Sequence, residues 1–252
     1  MKISINPLEY SLTENALDSV KDTSHPPEKI YYREDQVSKQ KTKTLVIIYP
    51  DSKTLHYMTP VVKGNKFYAA HLPDPVTLYL NLALKMENEA KKLKGEFENY
   101  VMVEFNKDRQ DEFKIIDRNL YNSYIQMILS TVVFLHMTVE SFINSIIPEN
   151  FEFDCYDKEQ IESSFSINDK ITKVLSNAFE IKFHIDYAKH YSVIDNLIKL
   201  RNELVHLKTS RKNGNDLFIE QFEKLINFDC NKHIDSVVFF IDTFNPNHLR
   251  KE

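Results

Sequence analysis

The chain has 252 residues, with 37 Asp and Glu against 32 Lys and Arg, a formal net charge of −5. Such a chain has no global attraction for nucleic acid, so any contact with RNA must come from a local patch. It holds 3 glycines, too few for a Gly-rich phosphate cradle of the dinucleotide or P-loop kind, and too few for the turns of a large β-barrel or sandwich.

Residues 1 to about 43 read as polar and irregular, with Pro26-Pro27 and a mixed-charge stretch ending in Lys39, Lys41 and Lys43; no apolar run of signal-peptide length opens them. Three short runs follow, TLVIIYP (44–50), LHYMTPVV (55–62) and KFYAAHL (66–72), separated by Asp51-Ser52-Lys53 and Gly64-Asn65. Their composition and the turn residues between them predict a small antiparallel β-meander. Asp74-Pro75 is a helix start, a capping carboxylate followed by proline at the first helical position. A helix is expected from there to about 94, with a second helical segment over 95–107.

A long helix is expected over about 111–147, stopped by Pro148. Its apolar run from Ile125 to Ile147 is long enough to suggest a membrane span, yet it contains Gln126, His136, Glu140 and Asn144. The cost of those groups in lipid favours a buried helix, and a soluble, cytoplasmic protein with no membrane partner is expected. Ser166-x-x-Asp169 has the form of a capping box, opening a helix to about 179. Further helices are predicted over about 186–208, 216–226 and 230–243, with a turn at Gly214 and Pro246 beyond the last. The fold class is therefore mainly α, an up-and-down helical bundle with a small N-terminal antiparallel β-meander. The boundaries are an N-terminal segment 1–73, connecting helices 74–110 and the bundle 111–245.

The stretch KLRNELVHLK (199–208) breaks the apolar pattern of its helix. With Arg201 at 0° and 100° per residue, Ile194 falls at about +20°, Leu197 at −40°, Ile198 at +60°, Leu204 at −60° and Val205 at +40°. Arg201 is thus at the centre of the apolar stripe, where a guanidinium needs an anionic or strongly polar partner. Asn202 and His206 are i,i+4 neighbours on the flank, beside Asp195. The long helix carries a matching polar line at i, i+4 and i+8, His136, Glu140 and Asn144. Two such lines most simply face each other, with Glu140 as the bidentate carboxylate for Arg201 and Asn144 or His136 completing the network. The bland reading is a buried Arg–Glu clamp.

The sharper reading is phosphodiester cleavage without a metal. A histidine with an ordinary pKa can take or return a proton at neutral pH, and an arginine can hold the scissile phosphate. RNA brings its own nucleophile in the 2′-hydroxyl. Lys208, Arg211 and Lys212 form a basic cluster just downstream that can grip flanking phosphates. Cys155 and Cys230 lack CxxC spacing, His184 and His190 lack ligand spacing, and Asp108, Asp111 and Glu112 read as a capped helix start. Neither a metal nor a cofactor is expected.

Arg201-Asn202-x-x-x-His206 resembles the Arg-x(4–6)-His motif of the HEPN superfamily (higher eukaryotes and prokaryotes nucleotide-binding). The segment HMTVESFIN, with Glu140 and Asn144, is similar to the acidic first core helix of many HEPN domains. The resemblance covers a little over half of the chain, from about 111 to 243. It implies a homodimer in which two motifs meet to form one RNA-cleaving cleft, and a role in bacterial toxin–antitoxin or other defence systems, with an antitoxin or regulatory protein as a further partner. It makes Arg201 and His206 the catalytic pair, with Asn202 orienting them and Glu140 supporting Arg201. The alternative it carries is a non-catalytic HEPN-like helical module that binds nucleotide or a partner protein.

Overall fold

In the computed structural model the described residues are 2–11, 45–49, 54–64, 66–97, 102–105, 112–205 and 216–249. The chain divides into two compact units, Ile5–Asp74 and a larger one made of Met1–Ser4 with Pro75–Glu252.

The smaller unit is a four-stranded antiparallel sheet of β1 (Glu9–Ser11), β2 (Leu45–Tyr49), β3 (Thr54–Lys63) and β4 (Lys66–His71). The first half of β3 is flanked by β1 and β2, and its second half pairs with β4 from Met58↔His71 to Lys63↔Lys66. The turn into β4 needs a left-handed residue, and Gly64 supplies it at φ 61°. The three expected strands are present, joined by β1 from the stretch whose polar sequence predicts irregular chain. At the neck of the unit, Leu8 N–H donates to the Leu72 carbonyl (2.7 Å) and Asp74 N–H to the Asn6 carbonyl (2.8 Å).

The larger unit is mainly helical. Its helices are α1 (Pro75–Glu96), α2 (Arg118–Ile146), α3 (Lys158–Ser164), α4 (Ile167–Asp169), α5 (Leu175–Phe179), α6 (Phe183–Asp186), α7 (Ala188–Val205), α8 (Asp216–Ile226) and α9 (Cys230–Phe244). A π-turn, Lys170–Val174, joins α4 to α5. The expected helix over about 166–179 thus has the right ends but a widened middle.

The segment 95–107 corrects a sequence expectation. Its described part beyond α1 is strand rather than helix: β5 (Met102–Phe105) pairs antiparallel with β6 (Glu112–Ile115). The long helix therefore starts at Arg118, where the Asp117 carboxylate accepts from the Asn119 and Leu120 N–H groups at 2.9 and 3.0 Å.

Helices α1 and α2 share the most extensive helix–helix contact. Val76, Leu80, Ala83, Leu84 and Ala90 of α1 are buried in one core with Ile125, Ile128, Val132, Leu135, Val139, Phe142 and Ile143 of α2. Both sets recur at three- and four-residue spacing, the stripe that lets two helices bury a shared face. Helix α9 adds Ile234, Val237, Phe240 and Ile241, with Phe142 edge-on to Phe240 at 5.6 Å between ring centroids. Helix α7 adds Ile194, Leu197 and Ile198. Helix α2 is long and apolar enough to cross a membrane by length and composition, and half of its most apolar window is buried by the protein itself.

Candidate functional site

The polar line of α2 is present and graded in depth. The His136 side chain is 4% exposed, that of Glu140 is 45% exposed, and Asn144 is half-buried. The line thus runs from the core to solvent within two helical turns. The His136 Nδ1 atom has no hydrogen-bond partner and lies 3.9 Å from Glu140 Oε2, too far for a hydrogen bond. Burial pushes the His136 pKa down to about 4, and the positive charge of Arg201 pushes the same way. His136 is therefore a neutral imidazole at neutral pH and no source of protons there.

That depression makes stability pH-dependent. An unfolded histidine titrates near 6.5, so on acidification the unfolded chain takes its proton first. The contribution is complete above about pH 6.5 and is lost as pH falls towards 4, with a total of about 3 kcal/mol at 1.36 kcal/mol per unit. Urea unfolding at pH 5 should show about 2 kcal/mol less stability than at pH 7 from this group alone. His136→Gln should flatten that part of the slope; an unchanged slope in the variant would assign it elsewhere.

Arg201 lies on α7, on the face that also buries Ile194, Leu197 and Ile198. It is half-buried, and its Nη1 donates to Asn202 Oδ1 at 3.1 Å. The expected bidentate pair with Glu140 is not formed. The reason is depth along the helix rather than direction around it. One turn further on, Val205 is 52% exposed, so Arg201 stands where the buried face of α7 meets water and needs no anionic partner. Lys224 of α8 anchors this end of α7 through Glu203 at 2.8 Å.

The cation that meets the α2 line is one that sequence reading missed. Lys170 is 1% exposed, and its Nζ donates to Asn144 Oδ1 at 3.0 Å and to the Glu162 carbonyl at 2.8 Å. Burial lowers its pKa, while the Glu140 and Glu162 carboxylates oppose that shift. At 100° per residue Lys170 falls at the edge of the face made by Ile167, Ile171 and Val174, where a lysine ordinarily points to water. The π-turn removes that expectation, burying Lys170, Ile171 and Val174 together. A lysine four places after the Ser166 cap, inside an apolar run, was the available signal. Asn168 Nδ2 ties the same segment to α7 by donating to Asp195 Oδ1 at 2.8 Å, and Asp195 also accepts from Lys199 at 2.6 Å.

The structure therefore brings His136, Glu140 and Asn144 of α2, Lys170 of the π-turn, and Arg201 with Asn202 of α7 into one polar seam. His206, Lys208, Arg211 and Lys212 lie outside the described residues. Chemically, the seam offers a guanidinium open to solvent on one side, a half-exposed carboxylate, and an amide held by a buried ammonium. Cys155 and Cys230 are free thiols away from it, and burial drives the Cys230 pKa up to about 12, too high for a neutral-pH nucleophile. No protein-family model matches this sequence, and no curated protein or solved structure matches it either.

Proposed function

We propose that the chain is a metal-independent endoribonuclease of HEPN type, acting as a homodimer in bacterial defence or toxin–antitoxin biology, in the cytoplasm and under the control of a partner such as an antitoxin. The observation that carries this reading is the state of Arg201: half-buried, oriented by Asn202 and free of any carboxylate among the described residues. A guanidinium locked in a bidentate ion pair has spent its fork; this one keeps donors for a phosphate.

In the proposed reaction Arg201 binds the non-bridging oxygens of the scissile phosphate. A histidine takes the 2′-hydroxyl proton as that oxygen attacks phosphorus. The 5′-oxygen leaves with a proton, giving a 2′,3′-cyclic phosphate and a 5′-hydroxyl end. His136, buried and neutral, is unsuited to returning a proton at neutral pH, so the role falls to His206 of the motif. Lys208, Arg211 and Lys212 are the proposed grip on flanking phosphates.

A second reading, a non-catalytic module binding nucleotide or a partner protein, is favoured by one observation: the side of the α2 line facing Lys170 is engaged internally. Incubation of labelled mixed-sequence RNA with the protein in excess EDTA separates the two. Cleavage with cyclic phosphate ends, abolished in a folded His206→Ala variant, is the expected result. Cleavage that appears only on adding a divalent ion, or a His206→Ala variant as active as wild type, would refute the mechanism.

A further inference from the structure

We propose that Glu140 and Asn144 form a guanine-reading edge, and that Lys170 is the positioning residue that fixes which way the Asn144 amide faces. The inference takes its RNA from the ribonuclease reading above, while the base contact itself stands on the seam's geometry.

An asparagine amide can usually be turned either way round, donor and acceptor exchanged. Here the choice is made by chemistry. An ammonium has three donors and no acceptor, so the group 3.0 Å from Lys170 Nζ must be the Asn144 oxygen. The Nδ2 group is thereby turned away from Lys170. It has no partner among the described residues, and it is not one of the enclosed polar atoms of the seam, so it meets solvent. One turn back, the Glu140 carboxylate is 45% exposed and makes no hydrogen bond among the described residues. A two-oxygen acceptor and an NH2 donor thus stand side by side on one helix face, with Cβ atoms about 5–6 Å apart. The long, well-packed α2 holds both.

That pattern selects among the bases. Guanine presents two adjacent donors, N1–H and the 2-amino group, which fill both oxygens of a carboxylate, and beside them O6, which accepts from an amide NH2. Adenine and cytosine each offer one amino group next to a ring-nitrogen acceptor, so one carboxylate oxygen would face a lone pair. Uracil offers a single N–H between two carbonyls. Lys170, 1% exposed, cannot touch the base and acts only through Asn144. His136, which feels the positive charge of Arg201, lies eight residues from Asn144, about 12 Å along the axis. A base at one end and a phosphate at the other fit that span.

The test is a titration of the full-length protein with GMP, IMP, AMP, CMP and UMP, following the Asn144 side-chain amide by NMR. GMP is expected to bind at least about tenfold more tightly than AMP, CMP or UMP, the scale of one good bidentate contact. IMP, which lacks the 2-amino group, should fall between. Glu140→Gln, at a half-exposed position, should abolish the preference without unfolding the protein. Lys170→Met should narrow it by freeing the amide to turn. Equal affinities, no response at Asn144, or a GMP preference intact in Glu140→Gln would overturn the proposal. Cleavage mapping on the same samples keeps the two readings apart. Selective GMP binding with uncut RNA defeats the ribonuclease alone, and RNA cut without base preference or GMP selectivity defeats the guanine edge alone.

Discussion

Arg201→Ala is expected to lower RNA cleavage by about 10²–10³-fold, the usual cost of removing one preorganised donor from a developing oxyanion. The melting temperature should hardly move. Among the described residues Arg201 makes one hydrogen bond, to the exposed neighbouring side chain of Asn202, and its own side chain is only half-buried. A contact of that kind contributes at most about 1 kcal/mol. Arg201→Lys keeps the charge but loses the planar fork, so its activity should lie between those of wild type and the alanine variant. The informative comparison is rate against stability in one preparation. If Arg201→Ala unfolds, the residue is a clamp; if it folds and cuts at the wild-type rate, the guanidinium has no part in the chemistry.

Lys170→Ala is expected to reverse that balance, with a loss of about 3 kcal/mol or more in folding free energy. Two terms combine. Truncating a long side chain at a fully packed position leaves a cavity, and it strands the Asn144 oxygen and the Glu162 carbonyl without their donor. Lys170→Met should cost less, because it fills most of the volume and relieves the protein of a desolvated ammonium. Urea unfolding of the two variants checks the order. An alanine variant within about 0.5 kcal/mol of wild type, the range of ordinary surface changes, would mean that Lys170 is not buried as described.

Sequence pattern located most of the helical frame because its ends are chemically marked. Pro75 starts α1, Pro148 follows α2, Ser166 opens the capped segment, and α8 and α9 fall within a residue of their expected limits. The β5–β6 hairpin was not legible. Its four-residue strands are too short for a period of two to stand out against a helical background. Helix α3 also carries a marked start, the Asp157–Gln160 capping box.

In the seam, periodicity gave the direction of His136, Glu140, Asn144 and Arg201 around their helices. It carried no information on how far along α7 the core extends, and that decides whether Arg201 needs Glu140. Nor could it foresee the π-turn, since widening a helix by one residue leaves composition and caps unchanged. The buried lysine follows from that turn, so the main partner of the α2 line was hidden.

The neck at residues 6–8 and 72–74 also bears on how the protein folds. Ile3 is buried in the core of the larger unit, yet about seventy residues of chain separate it from Pro75. Closing so long a loop carries an entropic cost that grows with the logarithm of its length. The Leu8–Leu72 and Asn6–Asp74 hydrogen bonds bring the two ends of that loop together. Once the sheet has closed, Ile3 is joined to α1 by a short effective tether, and its docking becomes a local event. For as long as it stays closed, the sheet shortens the loop that Ile3 must span, which a disulfide near the neck would do permanently.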